Sequence, residues 1–158
     1  MIAFEKSVGA VIFRKEGKNI KYLLLNYGKA RSGKYHWGFG KGHVEKNETE
    51  EETMHREVFE ETGISDLKII SGFSDKSRYF YRAFGEEREK RKKNGRKTLV
   101  AKLVIYFLAE TETEKIKISE EHIDFKWLSF EKAKAELTYK ASKKTLEKAK
   151  KFLEKSLK

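Results

Sequence analysis

The chain has 158 residues, 36 Lys or Arg against 25 Asp or Glu, a net charge of +11 and no cysteine. Its length suits one domain, 1–158, with a sizeable core, and 38% hydrophobic with 13% aromatic residues argues for a folded globule over disorder. Disulfides and thiol catalysis are excluded, no apolar run is long enough to span a bilayer, and the positive surplus favours polyanionic partners such as nucleotides, polyphosphates or RNA.

The N-terminal MIAFEKSVGAVIF lacks the basic-then-apolar layout of a secretory signal, so the expected location is cytoplasmic. Within it, Ser7 to Phe13 reads as a buried strand. A polar turn with Gly17 leads to a second strand, Ile20 to Asn26, and the two form a hairpin. Gly28 to Lys34 is a basic loop with two glycines, and a short aromatic stretch, His36 to Phe39, runs into Gly40-Lys41-Gly42 and a loop to about Asn47. Thr49 and Glu52 have capping-box spacing, and the helix they start runs to about Glu61, where Gly63 stops it. Asp66 to Phe73 and Arg78 to Phe84 are further strands, the second with Tyr79 and Tyr81 on one face and Phe80 on the other. Residues 85–97 are a charge-dense loop. Leu99 to Glu110, the longest apolar run, reads as a central strand. Phe125 to Leu128 is a short strand, and Ser129 caps a last helix whose stripe runs from Phe130 through Leu137 and Thr145 to Leu153. This order of elements predicts an α+β or α/β fold.

The segment GHVEKNETEEETMHREVFEETGI, residues 42–64, carries the chemistry. Glu57, Glu60 and Glu61 share one helical face. Such crowding of like charge suits a hard divalent cation, which takes carboxylate oxygens. A plain solvated acidic face is the alternative, but it leaves the flanking glycines, Val58, Ile64 and Arg56 unexplained. The spacing G-x5-E-x7-R-E-V-x-E-E-x-G-I resembles the Nudix box of the Nudix hydrolases at every fixed position. That resemblance implies the Nudix fold, an α/β/α sandwich with a mixed β-sheet between helices. It also implies Mg2+ or Mn2+ as cofactor, held by Glu57, Glu60, Glu61 and the backbone carbonyl of Gly42. Glu57 is in addition a candidate general base. Glu48 and Arg56, eight apart, can meet if the loop folds back on the helix. The resemblance implies that this pair holds the box in shape, which places Arg56 with Glu57 and Glu60 in the catalytic set. A glutamate six residues before Trp127, Glu121, matches the carboxylate that relatives supply from outside the box. His122 beside it is expected to support the site rather than ligate.

Upstream, HWGFGKGHVE resembles the asymmetrical diadenosine tetraphosphate hydrolase branch, which implies cleavage of diadenosine tetraphosphate to ATP and AMP. Lys41 and His43 are then candidate phosphate contacts, Tyr79 and Tyr81 candidate platforms for adenine, and Lys102 a phosphate-binding lysine. The alternative activities are an RNA 5′-pyrophosphohydrolase or a nucleoside triphosphate pyrophosphatase of the same fold, and a binding module without catalysis is disfavoured by the intact box. The basic stretch 88–97 exceeds the loop expected in this branch. It reads as a lid over a long polyphosphate, as a surface for RNA ends, or as a solvated loop. The expected assembly is a monomer, with a dimer as the alternative, and no membrane partner is expected.

Overall fold

The apolar run predicted over 7–13 lies inside a longer strand, β1 (Ala3–Glu16), which turns at Gly17 into the antiparallel β2 (Asn19–Lys29). The structure is a computed structural model that describes residues 1–30 and 32–156; Arg31 of the predicted basic loop, and Leu157 and Lys158 at the end of the predicted domain, lie outside the described residues. After β3 (Tyr35–Gly38) and β4 (Lys41–His43) comes α1 (Glu50–Thr62), then β5 (Lys68–Ile69), β6 (Asp75–Arg82), α2 (Gly85–Lys93), β7 (Leu99–Glu110), β8 (Asp124–Leu128), α3 (Phe130–Glu136) and α4 (Lys140–Ser156).

One mixed sheet runs β3-β2-β1-β7-β5, with β4 added to β1, β6 to β7 and β8 to β2. The centre is the parallel pair β1–β7, in register from Ala3↔Val100 to Phe13↔Glu110. Both strands are buried on both faces, which is why they read as continuous apolar runs. On one face Met54 and Val58 of α1 pack with Val8, Ala10, Ile12, Leu23 and Ile105. On the other, Leu137 and the α4 residues Leu146, Ala149 and Leu153 pack with Val11, Phe13, Leu24, Val104 and Leu108. Each fully buried side chain of this kind stabilises the fold by roughly 1.5–3 kcal/mol. The result is the helix–sheet–helix sandwich of the α+β reading, with four helices among the described residues.

Helix α1 begins and ends as predicted. Thr49 accepts from the Glu52 N–H at 3.1 Å, Glu52 accepts from the Thr49 N–H at 3.2 Å, and Gly63 ends the helix at φ 76°. Four expectations need correction. Residues 85–97 are not a loop: Gly85–Lys93 is helical, with Glu86 and Glu87 in its first turn and four basic residues in its last, an arrangement the helix dipole favours. The strand expected over 66–73 shrinks to Lys68–Ile69, because the chain turns away at Gly72, φ 92°. The single C-terminal helix is two. Leu137 is extended at ψ 131°, and the corner it makes is tied to β3, where the Trp37 N–H donates to Thr138 Oγ1 at 2.9 Å. Ser129 sits at the start of α3 without a side-chain capping bond.

Candidate active site

The register β1–β4 places Ser7 opposite His43 and Gly9 opposite Lys41. A Cβ on Gly9 would lie 2.0 Å from the Gly40 carbonyl oxygen, so a glycine is what allows β4 to approach β1. Alternation along β4 then turns Lys41 and His43 to the α4 side of the sheet and Gly40 and Gly42 to the α1 side. On that α1 side the two glycines receive two carboxylates. A Cβ built on Gly42 would fall 1.8 Å from the Glu57 carboxyl carbon, and one on Gly40 would fall 3.2 Å from Glu61 Oε1. Glu57 and Glu61 are four apart and differ by about 40° around the helix, whereas Glu60 is turned about 60° the other way. Glu60 is accordingly the outlying member, its side chain 55% exposed.

Arg56 organises the segment. It donates to Glu48 through Nε at 2.6 Å and Nη2 at 3.0 Å, to Glu57 at 2.8 Å, to Glu60 at 3.3 Å and to the His43 carbonyl at 2.9 Å. Thr53 Oγ1 and the Glu45 N–H also donate to Glu48. The Arg56 guanidinium and these bonds hold the Glu48 carboxyl down to about 2, so the bidentate pair stays ionised at neutral pH. The predicted Glu48–Arg56 meeting is thus observed, and it is what folds the 43–48 loop back on α1.

Glu61 is nearly fully buried, and neither of its oxygens has a hydrogen-bond partner among the described residues. His122 Nε2 lies 3.1 Å from Oε2, but is not aligned for a hydrogen bond; its Nδ1 is 3.1 Å from Ser119 Oγ. Burial raises the Glu61 pKa against the pull of His122, and the charges of Glu57 and Glu121 raise it further. Burial also raises Glu57, with Arg56 opposing and Glu60 and Glu121 adding to the rise. The charge of Glu121, on the loop before β8, thus acts on both box carboxylates. A buried carboxylate without a partner is costly, and oxygen donors crowded this way match a hard dication in type. Among the described residues no three acidic or imidazole side chains converge as a complete ligand set, since Arg56 draws Glu57 and Glu60 to itself. In donor chemistry and in the unpartnered Glu61 oxygens, the residues present fit a divalent cation.

The α4-side face carries the cations. Lys102 pairs across β7 with Glu5 of β1 and with Tyr79 of β6, so all three share that face with Lys41 and His43. Burial lowers Lys41 to about 8, assisted by Lys102, and burial and Lys102 also lower His43. Tyr79 is 40% exposed and its ring is 6.1 Å from that of Tyr81. Tyr81 is committed elsewhere, donating its hydroxyl to Glu87 at 2.8 Å. Tyr27, His36 and Tyr139 were not singled out in the sequence. The Lys41 ammonium sits 5.6 Å from the Tyr27 ring centroid, and Tyr27 stacks on His36 at 4.9 Å and meets His122 at 4.4 Å. Tyr139 packs edge-on to His36 at 4.7 Å and stays half-exposed. Isolated aromatics of this kind carry no spacing signal.

A family model described as the NUDIX domain matches residues 3–149. The asymmetrical bis(5′-nucleosyl)-tetraphosphatase of Mus musculus is 35% identical over 158 residues, 94% of this chain and 95% of the mouse protein. An RNA pyrophosphohydrolase of Bartonella tribocorum is 31% identical over 88 residues, 54% of this chain and 49% of its own. Among solved structures, a binary complex of the C. elegans Ap4A hydrolase superposes with a TM-score of 0.73 at 30% identity, covering 94% of this chain and 97% of that one. The chain belongs to the Nudix family. It is a hydrolase of acid anhydrides in phosphorus-containing substrates, and its fold is the Nudix fold.

Proposed function

We propose that the protein hydrolyses dinucleoside polyphosphates, with diadenosine tetraphosphate cut to ATP and AMP as the leading reaction. The observation that carries this reading is the pairing of two carboxylates, the buried Glu61 and the partly buried Glu57, on Gly40 and Gly42 with a cationic face immediately across β4. Mg2+ or Mn2+ held by Glu57, Glu60, Glu61, Glu121 and the Gly42 carbonyl would neutralise phosphate charge and make bound water acidic. Lys41, His43 and Lys102 neutralise and align the phosphate bridge. Tyr79 and Tyr139, each 40% or more exposed, supply aromatic surface for a base. Attack by water forms a new P–O bond as the anhydride P–O bond breaks, and the water's proton passes to a carboxylate, for which Glu57 is suited by its raised pKa. Arg56 acts through position, by keeping Glu57 against Gly42. The domain organisation that fits is one catalytic unit spanning the chain.

The test is chromatography of the products formed from diadenosine tetraphosphate with Mg2+ or Mn2+ present. ATP plus AMP is the expected pair, and their absence overturns the substrate assignment. A second reading, an RNA 5′-pyrophosphohydrolase, is favoured by the basic helix α2 and by the partial likeness to bacterial RNA pyrophosphohydrolases. Competition between triphosphorylated RNA and the dinucleotide separates the two, and dominance of the RNA would replace the first reading.

A further inference from the structure

Helix α2 leaves the sheet between β6 and β7, and one buried cation sets where it lies. Arg91, 6% exposed, donates to both oxygens of Glu5 on β1, to Glu87 one turn earlier at 2.9 Å, and to the Lys97 carbonyl at 3.2 Å. Glu87 also accepts from the Tyr81 hydroxyl at 2.8 Å, and the Ala83 N–H bonds the Thr98 carbonyl at 2.8 Å, closing the excursion at its base. A guanidinium bound bidentately to a buried carboxylate holds direction as well as distance. The helix is therefore a docked wall.

Between this wall and β4 is a cleft of about 730 Å³. His43 and Glu121, from the rim of the carboxylate site, line one side. Lys90, Asn94 and Arg96 line the other. Two acids on its floor, Glu5 and Glu87, share Arg91, whose single charge offsets one of theirs. Lys90 has no acidic partner among the described residues, and Arg96 comes only to 4.0 Å of Glu5. The wall thus presents two cations to a cleft that opens from the place where an anhydride would be cut. A docked wall and a nucleotide-sized volume suit a small polyanion better than a nucleic acid, which needs an open track.

We infer that Lys90 and Arg96 bind the phosphates of a substrate's bridge that extend past Glu57 and Glu61, so that α2 makes the enzyme prefer long polyphosphate bridges to short ones. This rests on the phosphoanhydride reading above and adds chain length to it. Lys and Arg are the side chains that phosphate oxygens select, and each added phosphate brings charge within their reach.

The test compares the Mg2+-loaded enzyme with Lys90→Ala/Arg96→Ala on diadenosine tri-, tetra-, penta- and hexaphosphate. The expected loss in kcat/KM grows with bridge length and reaches about tenfold on the longest, two surface ion contacts of ordinary strength. The control Lys92→Ala/Lys93→Ala removes the same charge from α2 outside the cleft and should leave the length preference intact. Equal losses at every length, no loss, or the same effect in the control overturns the inference. So does a loss confined to triphosphorylated RNA. Binding of inorganic tripolyphosphate, followed by calorimetry, gives a readout that needs no turnover. Should the wild type cut no dinucleotide, the substrate reading fails, while weaker tripolyphosphate binding in Lys90→Ala/Arg96→Ala still supports the cleft. Unchanged binding sinks it.

Discussion

Glu57 rests its carboxylate on the bare Cα of Gly42, so closely that a methyl group there would lie 1.8 Å from the carboxyl carbon. The contact sets a glycine against the carboxylate proposed above to accept the water's proton. In Gly42→Ala the far end of the Glu57 side chain must move, since the obstacle is flexible side chain and not backbone. A shift of this size should lower kcat by about 100-fold. Circular dichroism and the thermal transition should stay near wild type, and a normal rate in Gly42→Ala would show that Glu57 has no work to do in this position.

Arg56 is the hub of the box, and a lysine cannot reproduce its bidentate fork. Arg56→Lys should weaken the hold on Glu48 and Glu57 together and destabilise the protein by about 1–3 kcal/mol. Urea unfolding measures the loss. Divalent ion titration should show weaker binding in the same variant, because the 43–48 loop is no longer drawn to α1.

Glu60 and Glu61 should respond differently to conversion to amide. Glu60 is half-exposed, so Glu60→Gln should leave stability within about 0.5 kcal/mol and lower turnover by at least about 100-fold. Glu61 is buried with both oxygens unpartnered. Glu61→Gln removes a buried charge that Glu57 and Glu121 repel, so the ion-free protein should melt higher, and Mg2+ should no longer raise its transition. Melting curves with and without Mg2+ distinguish the pair, and a Glu61→Gln protein still stabilised by the ion would contradict the assignment.

Asp66 provides a pH test away from the site. Burial works to raise its pKa, but it accepts from the Thr111 and Thr113 hydroxyls and the Glu112 N–H, and the net effect is a lowering from 3.8. A carboxylate with a lowered folded pKa contributes stability above its unfolded value and loses it as pH falls through the folded one. Asp66→Asn should therefore cost about 1 kcal/mol at pH 7, a modest figure because the residue is exposed. The difference between variant and wild type should begin to shrink as pH falls below 3.8 and vanish once pH passes the lowered folded value. A gap that persists undiminished in acid would mean that the bonds, not the charge, carry the effect.

Arg91→Met removes the near partner of a buried ion pair and leaves Glu5 only Arg96 at 4.0 Å. Such losses run to about 3–5 kcal/mol when nothing relaxes. Here α2 can swing free of β1, so the loss should be local. Hydrogen exchange across 85–97 should accelerate by more than about tenfold while β1 and β7 keep their protection. Unchanged exchange in α2 would show that Arg91 is not its anchor.

The box was legible because its spacing is local. Capping by Thr49 and Glu52, the stop at Gly63 and the shared face of Glu57 and Glu61 all follow from helix geometry within one segment. So did the long strands, because burial on both faces leaves continuous apolar runs at 7–13 and 99–110. The helix over 85–93 was hidden, since its charge density reads as solvated loop and its one buried residue is an arginine. The break at Leu137 was hidden too, because the bond that makes it reaches back about a hundred residues to Trp37.

What the chain's order of residues determined by itself is the set of carboxylates, their helix and the family to which they belong, because each depends on contacts within a few turns. What only the tertiary structure decided is which of those carboxylates is buried, which is held by Arg56, and which cations face them. Those outcomes turn on β4 lying against β1 at Gly9 and on α2 being pinned to Glu5, contacts between segments far apart in the chain that no local pattern encodes.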